Sequence, residues 1–278
     1  MLCPGASPAQ GRIRYRCGMP TLARICVTPV KGLALLHPKE VLLEDVGLRE
    51  NRLFYLVDDA GEHVADIEHP ELVRVRPEFD PQEEWLRLRF PDGAMAEGSA
   101  TALGAPVVTT LSRRPVPGHV VEGPFARALS SFAGESLRLV RADRPGDGPD
   151  VHHLSVLSLA SVEELGRRGG LDGTLDSRRF RMNFELDGCT PHQEDSWAGR
   201  RVAFGDAVVR MLGPVPRCVV TAQNPDTGER DFDALKVIPT YRPLMVREGR
   251  RPGIPFGMYA EVEEPGRVGL GDPVSPLA

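Results

Sequence analysis

A chain of 278 residues with 41% hydrophobic and 26% charged residues has the make-up of a soluble globular protein, long enough for one large or two modest cores. A formal charge of −5 without a long basic stripe argues against a nucleic-acid binder. No apolar run approaches the roughly eighteen residues of a membrane span, so no membrane association is expected.

Residues 1–18 (MLCPGASPAQGRIRYRCG) have neither a hydrophobic core nor a helical period, and are expected to be a flexible extension ahead of Met19. Leu22 to Pro29 is β-branched and alternating, which predicts a strand closed by Pro29, with Val30-Lys31-Gly32 as a loop. Further strands are expected at Val41–Leu43, Arg52–Val57 and Trp85–Phe90, the last alternating Leu86, Leu88 and Phe90 against Arg87 and Arg89. Pro124 opens a helix over Phe125–Phe132 that Gly134 stops. Residues 19–143 thus read as a small, mostly antiparallel β domain.

Arg144-Pro-Gly-Asp-Gly-Pro-Asp150 is the strongest linker signal, which places a second domain at 144–278. There, Leu154–Leu159 reads as a strand, and Ser161 with Glu164 as a capping box for a helix ending at Gly169-Gly170. Strands follow at Phe184–Leu186, Arg200–Phe204, Ala207–Leu212, Cys218–Ala222 and Met258–Glu263. The 29 glycines and 26 prolines agree with many short strands and tight turns, a mainly β (α+β) chain.

Five scattered cysteines without paired spacing, and no secretory signal, favour a reducing cytoplasm. Of these, Cys218 follows Arg217 and a stiff Gly213-Pro214-Val215-Pro216 lead. A guanidinium turned toward that sulfur would favour the thiolate, the form that binds soft metals. A lone cysteine is more commonly a small apolar core residue, so the local sequence leaves both roles open. Arg181 and Asn183, two apart on an expected strand, would share one face and suit a phosphate or a heterocycle edge; a solvated surface is the competing reading. Lys31 and Arg52 are further cations able to converge on an anion. Cys189 with His192 lacks a second ligand pair, so the spacing argues against a zinc site, and no GxSxG, Walker or GxGxxG motif is present.

Taken in order, several short motifs resemble the MOSC (molybdenum cofactor sulfurase C-terminal) family, in the branch that includes the mitochondrial amidoxime reducing component. They are Pro29-Val30-Lys31-Gly32, Asn51-Arg52, Leu157-Ser158 with Ala160-Ser161, Phe180-Arg181-Met182-Asn183, Glu194-Asp195-Ser196-Trp197, Arg217-Cys218, Pro225-Asp226-Thr227-Gly228 and Phe256-Gly257-Met258-Tyr259. The resemblance covers roughly residues 20 to 276. It implies an N-terminal β-barrel-like domain and a C-terminal MOSC β-barrel with short helices, with the molybdenum cofactor (molybdopterin) between them. By the same resemblance, Cys218 is the molybdenum ligand and the catalytic residue. Lys31, Arg52, Arg181, Asn183 and Arg217 would hold the pterin and its phosphate, with Ser158 in a loop that does likewise. Gly32, where relatives often carry serine, and the neighbourhood of Pro216 depart from the family pattern. The implied activity is reduction of N-hydroxylated or N-oxide compounds, with electrons from a separate ferredoxin-, flavodoxin- or cytochrome-type protein. The family also carries a general association with pyridoxal phosphate binding. Two other readings fit the same cysteine: a persulfide sulfur carrier, and a non-catalytic cofactor-binding protein.

Overall fold

The computed structural model describes residues 18–64, 67–149, 151–246 and 251–277; the expected extension, all but Gly18, lies outside them. The chain opens with β1 (Thr21–Ile25), β2 (Glu40–Leu43) and β3 (Phe54–Val57). Next come β4 (Arg76–Asp80), β5 (Trp85–Arg89), β6 (Met95–Ser99), β7 (Leu103–Leu111) and β8 (Arg114–Val121). Helix α1 (Phe125–Ala133) leads into β9 (Arg138–Ala142). Pro124 stands at the N-cap of α1, and Gly134 ends it in the left-handed region at φ 73°, as the sequence predicts.

In this half, an antiparallel sheet ordered β3-β9-β8-β7 and a second ordered β4-β5-β6 enclose one core. The expected alternation of β5 holds: Leu86 and Leu88 are buried while Trp85 and Arg89 are exposed. Phe125 and Leu129, four apart on α1, plug the same core. Each fully buried side chain of this size contributes roughly 1.5–3 kcal/mol relative to exposure.

The second half contains β10 (Leu154–Ser158), α2 (Leu159–Arg168), β11 (Phe184–Asp187), β12 (Arg201–Phe204) and β13 (Ala207–Arg217). Then come α3 (Ala234–Val237), β14 (Ile254–Glu264), β15 (Gly266–Gly269) and β16 (Val274–Pro276). One seven-stranded sheet runs β1-β11-β10-β14-β13-β12-β16. Its two outer strands come together: Thr21 bridges Pro273, and the Val274 N–H donates to the Pro20 carbonyl at 2.8 Å. The sheet is therefore a nearly closed barrel, filled by side chains such as Phe184 and Phe204, whose rings lie 5.5 Å apart.

A division of the sequence at 143/144 does not coincide with the sheets. β1 pairs with β11 in the barrel sheet, while β2 pairs with β15 in a separate two-stranded sheet whose Leu43 and Val268 join the same core, so both strands pack with the second half. Among the described residues, no helix is long and apolar enough to cross a membrane.

Three local expectations are corrected. Helix α2 starts earlier than Ser161, with Ser158 as N-cap accepting from the Ser161 N–H at 3.2 Å. Serines three apart offer two capping frames, and the buried Glu194 carboxyl, which takes both Ser158 N–H and Ser161 Oγ, accompanies the earlier one. Cys218–Ala222 is not a strand: β13 ends at Arg217, and Val219–Ala222 forms a 3-10 turn. Arg181 and Asn183 do not share a strand face either. Arg181 closes the 3-10 turn Ser177–Phe180 with φ 52°, and β11 begins only at Phe184.

Candidate functional site

β13 passes through Gly213-Pro214-Val215-Pro216 and delivers Arg217 as its last residue. Proline has no N–H to donate, and the pairing with β14 shifts register between Met211 and Pro214 and between Pro214 and Pro216. Cys218 follows in extended conformation, and its carbonyl oxygen accepts from Thr221 N–H (3.2 Å) and Thr221 Oγ1 (2.9 Å). The backbone at Cys218 is thus held while the residue stays exposed. Cys26 and Cys189 are buried. Burial first, and Glu185 second, push the Cys26 thiol well above its ordinary range, so it is the inert kind of cysteine.

Cys218 opens onto a cavity of about 440 Å³ between the two halves. Lys31, Arg52, Arg179, Arg181 and Arg217 line it, and no carboxylate does among the described residues. The local fold explains why these cations meet. The segment from Thr28 to Lys31 runs beside residues 52–54, with Arg52 N–H on Thr28 O (2.6 Å) and Lys31 N–H on Phe54 O (2.8 Å). Arg52, at φ 58°, turns there in the left-handed region, as does Arg181. Such backbone costs a non-glycine residue on the order of 1–2 kcal/mol and collects at functional sites.

Lys31, Arg179, Arg181 and Arg217 are oriented by named partners. Arg217 Nη2 donates to the Phe180 carbonyl (2.5 Å), Nη1 to Met182 Sδ (3.2 Å), and the guanidinium covers the Phe180 ring at 5.3 Å. Arg181 Nη2 crosses to Leu33 O (2.6 Å), tying the barrel to the Lys31 loop. Lys31 Nζ reaches Gly148 O (3.3 Å). Arg179 is already matched by Asp231 at 2.9 Å and braces the Thr221 turn.

Asn183 is buried against this wall. Its Nδ2 donates to Cys26 O (3.3 Å), and its Oδ1 accepts from Ser155 Oγ (3.1 Å). The amide is therefore fixed, with one N–H not committed by these two bonds. Ser155 and Ser112, not Ser158, are serines of the cavity wall. Ser158 is fully buried as the N-cap of α2, away from the cavity, which corrects its expected place. Sequence reasoning passed over Ser155, although alternation along β10 places it on the face opposite Leu154 and Val156. Gly148 reads from sequence only as linker, Tyr259 only as part of a motif, and the His152-His153 pair as incidental, yet His152 and Tyr259 line the cavity. Gly148 sits so close to Arg52 that a Cβ there would stand 1.7 Å from the Arg52 carbonyl oxygen.

A second polar cluster lies inside the core behind Phe256. Burial raises the fully buried Glu194 carboxyl to about 7, against the hydrogen bonds from Ser158 and Ser161. Burial, then Arg242, lowers His192 to about 4. The His192 ring packs on Tyr241 and Phe256, and Arg242 pairs with Asp195 at 2.6 Å. This accounts for the Glu194-Asp195-Ser196-Trp197 run as internal structure joining α2, the 3-10 turn Gln193–Trp197 and the Tyr241 segment.

The MOSC domain matches residues 143–275, and the MOSC N-terminal beta barrel domain matches residues 19–116. Mitochondrial amidoxime-reducing component 1 of Mus musculus is 28% identical, covering 91% of this chain and 81% of its own. Molybdenum cofactor sulfurase of Drosophila grimshawi is 27% identical over 93% of this chain and 35% of its own, so the chain spans about a third of that relative. The solved YuaD protein of Bacillus subtilis aligns over 92% of this chain and 93% of its own, with 11% identity and a TM-score of 0.44.

Proposed function

We propose, because this chain belongs to the MOSC family, that it is a molybdenum-cofactor-dependent oxidoreductase acting on N-oxygenated small molecules, with Cys218 as the protein's ligand to the metal. The relatives named for amidoxime reduction and for the molybdenum cofactor support this reading. The observation that carries it is the exposed thiol of Cys218 opening on a cavity lined by cations from both halves of the chain.

The residues present fit such a group. A pterin carrying a phosphate is anionic, and Lys31, Arg52, Arg181 and Arg217 surround the space without a carboxylate among the described residues. No cluster of three or more His, Cys, Asp or Glu able to hold a metal occurs among the described residues. One thiolate alone suits a metal that arrives with its own sulfur and oxygen ligands, as this cofactor's does. The cavity volume also lies within the roughly 300–1,000 Å³ usual for small-molecule sites.

In this reading Lys31, Arg52 and Arg181 neutralise the phosphate and pterin edges, Asn183 offers them an N–H, and Cys218 fixes the metal. When bound, the group supplies two-electron reduction at an N–O bond, with electrons delivered by a separate electron-transfer protein. Arg217 holds the Phe180–Met182 wall in place beside the thiol, and so orients the cavity rather than the chemistry.

Metal analysis of anaerobically purified protein, paired with reduction of a benzamidoxime by an artificial donor, tests the proposal. Near-stoichiometric molybdenum and turnover that Cys218→Ala abolishes are the expected results. Protein free of molybdenum that releases sulfane sulfur to dithiothreitol would instead establish a persulfide carrier. Molybdenum without any N–O reduction would leave a cofactor-binding protein.

A further inference from the structure

We infer that Arg24, Ser177 and Glu185 form a clasp that positions one wall of the cavity for the cofactor; this inference rests on the cofactor-dependent function proposed above. None of the three lines the cavity. The wall in question is a run of five residues, Arg179 to Asn183, all of which do. They lie between the 3-10 turn Ser177–Phe180 and β11, on a stretch with no ladder of its own. Arg181 turns there at φ 52°, and Asn183 just precedes the strand. The shape of such a loop is set where its two ends meet.

The ends meet at Glu185. Ser177 Oγ donates to Glu185 Oε2 at 2.7 Å, which closes the loop across eight positions. Arg24, the register partner of Glu185 on β1, donates from Nη1 to the same Oε2 and to Ser177 Oγ, each at 2.9 Å. A guanidinium only donates, so the Ser177 hydroxyl accepts from Arg24 and gives its own hydrogen to the carboxylate. Alternation along β11 explains the placement: Phe184 and Leu186 fill the barrel, and Glu185 points to the opposite face, where the Ser177 turn meets it.

The clasp is wired to the wall. Two residues after Arg24, the Cys26 N–H donates to Asn183 O (2.8 Å), and the Cys26 carbonyl accepts from Asn183 Nδ2 (3.3 Å). Arg181 reaches across to Leu33 O. A shift of Ser177 against β1 therefore moves both the amide and the guanidinium presented to the cavity. The other cations of the loop are held separately, Arg178 between Asp176 and Asp226 and Arg179 by Asp231.

Stability alone does not call for a carboxylate here. Glu185 is fully buried, and its Oε1 has no hydrogen-bond partner. Burial raises the carboxyl above its ordinary range, against the bond from Ser177 and then the charge of Arg24. Desolvating such a group commonly costs about as much as its partners contribute, and well-packed apolar replacements are often as stable. An apolar trio, however, has no preferred direction. What the charged trio adds is a single placement of residues 177–185, so Glu185 and its two partners are positioning residues.

The test separates that role from general support of the fold. The triple variant Arg24→Met, Ser177→Ala, Glu185→Met should unfold at or above the wild-type denaturant midpoint. Its molybdenum content after anaerobic purification should nonetheless fall about 10-fold or more, the scale seen when groups supporting a metal site are removed. In protein without cofactor, tryptic cleavage after Arg178, Arg179 or Arg181 should quicken about 10-fold, because the loop opens locally. Ser177→Ala alone should move both readouts the same way, and Ser177→Thr, which keeps the hydroxyl, should restore them. Wild-type molybdenum content and wild-type protease resistance in Ser177→Ala overturn the inference alone, whether or not the triple variant folds. Wild-type protein without molybdenum overturns the functional proposal, and this inference with it.

Discussion

Arg217 Nη2 donates to the carbonyl oxygen of Phe180 at 2.5 Å, so the residue next to the exposed thiol grips a loop thirty-seven positions earlier in the chain. The same guanidinium lies over the Phe180 ring and meets Met182 Sδ. It therefore fixes the turn that presents Arg181 and Asn183. Replacing Arg217 with Ala leaves that carbonyl without its charged donor, a loss of about 1–3 kcal/mol. Lower thermal stability and poor molybdenum retention are expected together, and Arg217→Lys should rescue little because an ammonium cannot reach three partners at once. Wild-type values for both quantities in Arg217→Ala would sink this assignment.

Cys218 is exposed, so Cys218→Ala should change folding stability by no more than about 0.5 kcal/mol. Metal content should nonetheless fall to background. A denaturant melt and elemental analysis on one preparation separate the two effects, and a variant that still holds molybdenum would show the thiol is not the ligand.

Gly148 has no room for a methyl group beside the Arg52 carbonyl, and its own carbonyl receives Lys31 Nζ. Gly148→Ala must displace the Arg52 backbone, at a cost of about 1–3 kcal/mol. Two cations of the cavity move with it, so cofactor retention should drop at least tenfold. An unshifted melting curve with full cofactor would show that the approach relaxes without consequence.

Glu194 and His192 bend stability against pH in opposite senses. Folding lifts the Glu194 carboxyl from 4.5 to about 7, so the folded state holds a proton that the unfolded chain releases, and stability falls as pH rises across that window. Folding lowers His192 from 6.5 to about 4, so stability is lost as pH falls across that range. The two slopes oppose each other between about 4.5 and 6.5. Glu194→Gln should gain on the wild type as pH climbs from 5 to 8, by up to on the order of 3 kcal/mol. His192→Phe should lose the acid-side decline. Urea titrations at several pH values check both, and curves parallel to the wild type would refute the buried-proton account.

Much of this was legible in the sequence. Turn-formers and alternation marked most strands, and Pro124 with Gly134 bounded α1. Lys31, Arg52, Arg181, Asn183, Arg217 and Cys218 were all singled out, and all six line one cavity. What escaped was conformation that no periodicity encodes. Arg52 and Arg181 sit in the left-handed region, and Cys218 begins a 3-10 turn, none of which follows from residue type. Ser158 and Ser155 exchanged roles because cap geometry depends on Glu194, thirty-six residues further along. Gly148 lay in the stretch that reads as linker and His152 just beyond it, where their surroundings come only from Arg52 and from β14.

The barrel's seam, finally, bears on how the molecule is made. During synthesis β1 has no permanent neighbour until β11 and the Pro273 region have been made, so closure joins segments far apart along the chain. Until then the nascent chain carries raw strand borders open to mispairing. A fragment starting at residue 143 would keep those borders permanently, and is expected to sediment as aggregate unless a peptide spanning residues 19–45 is added in trans.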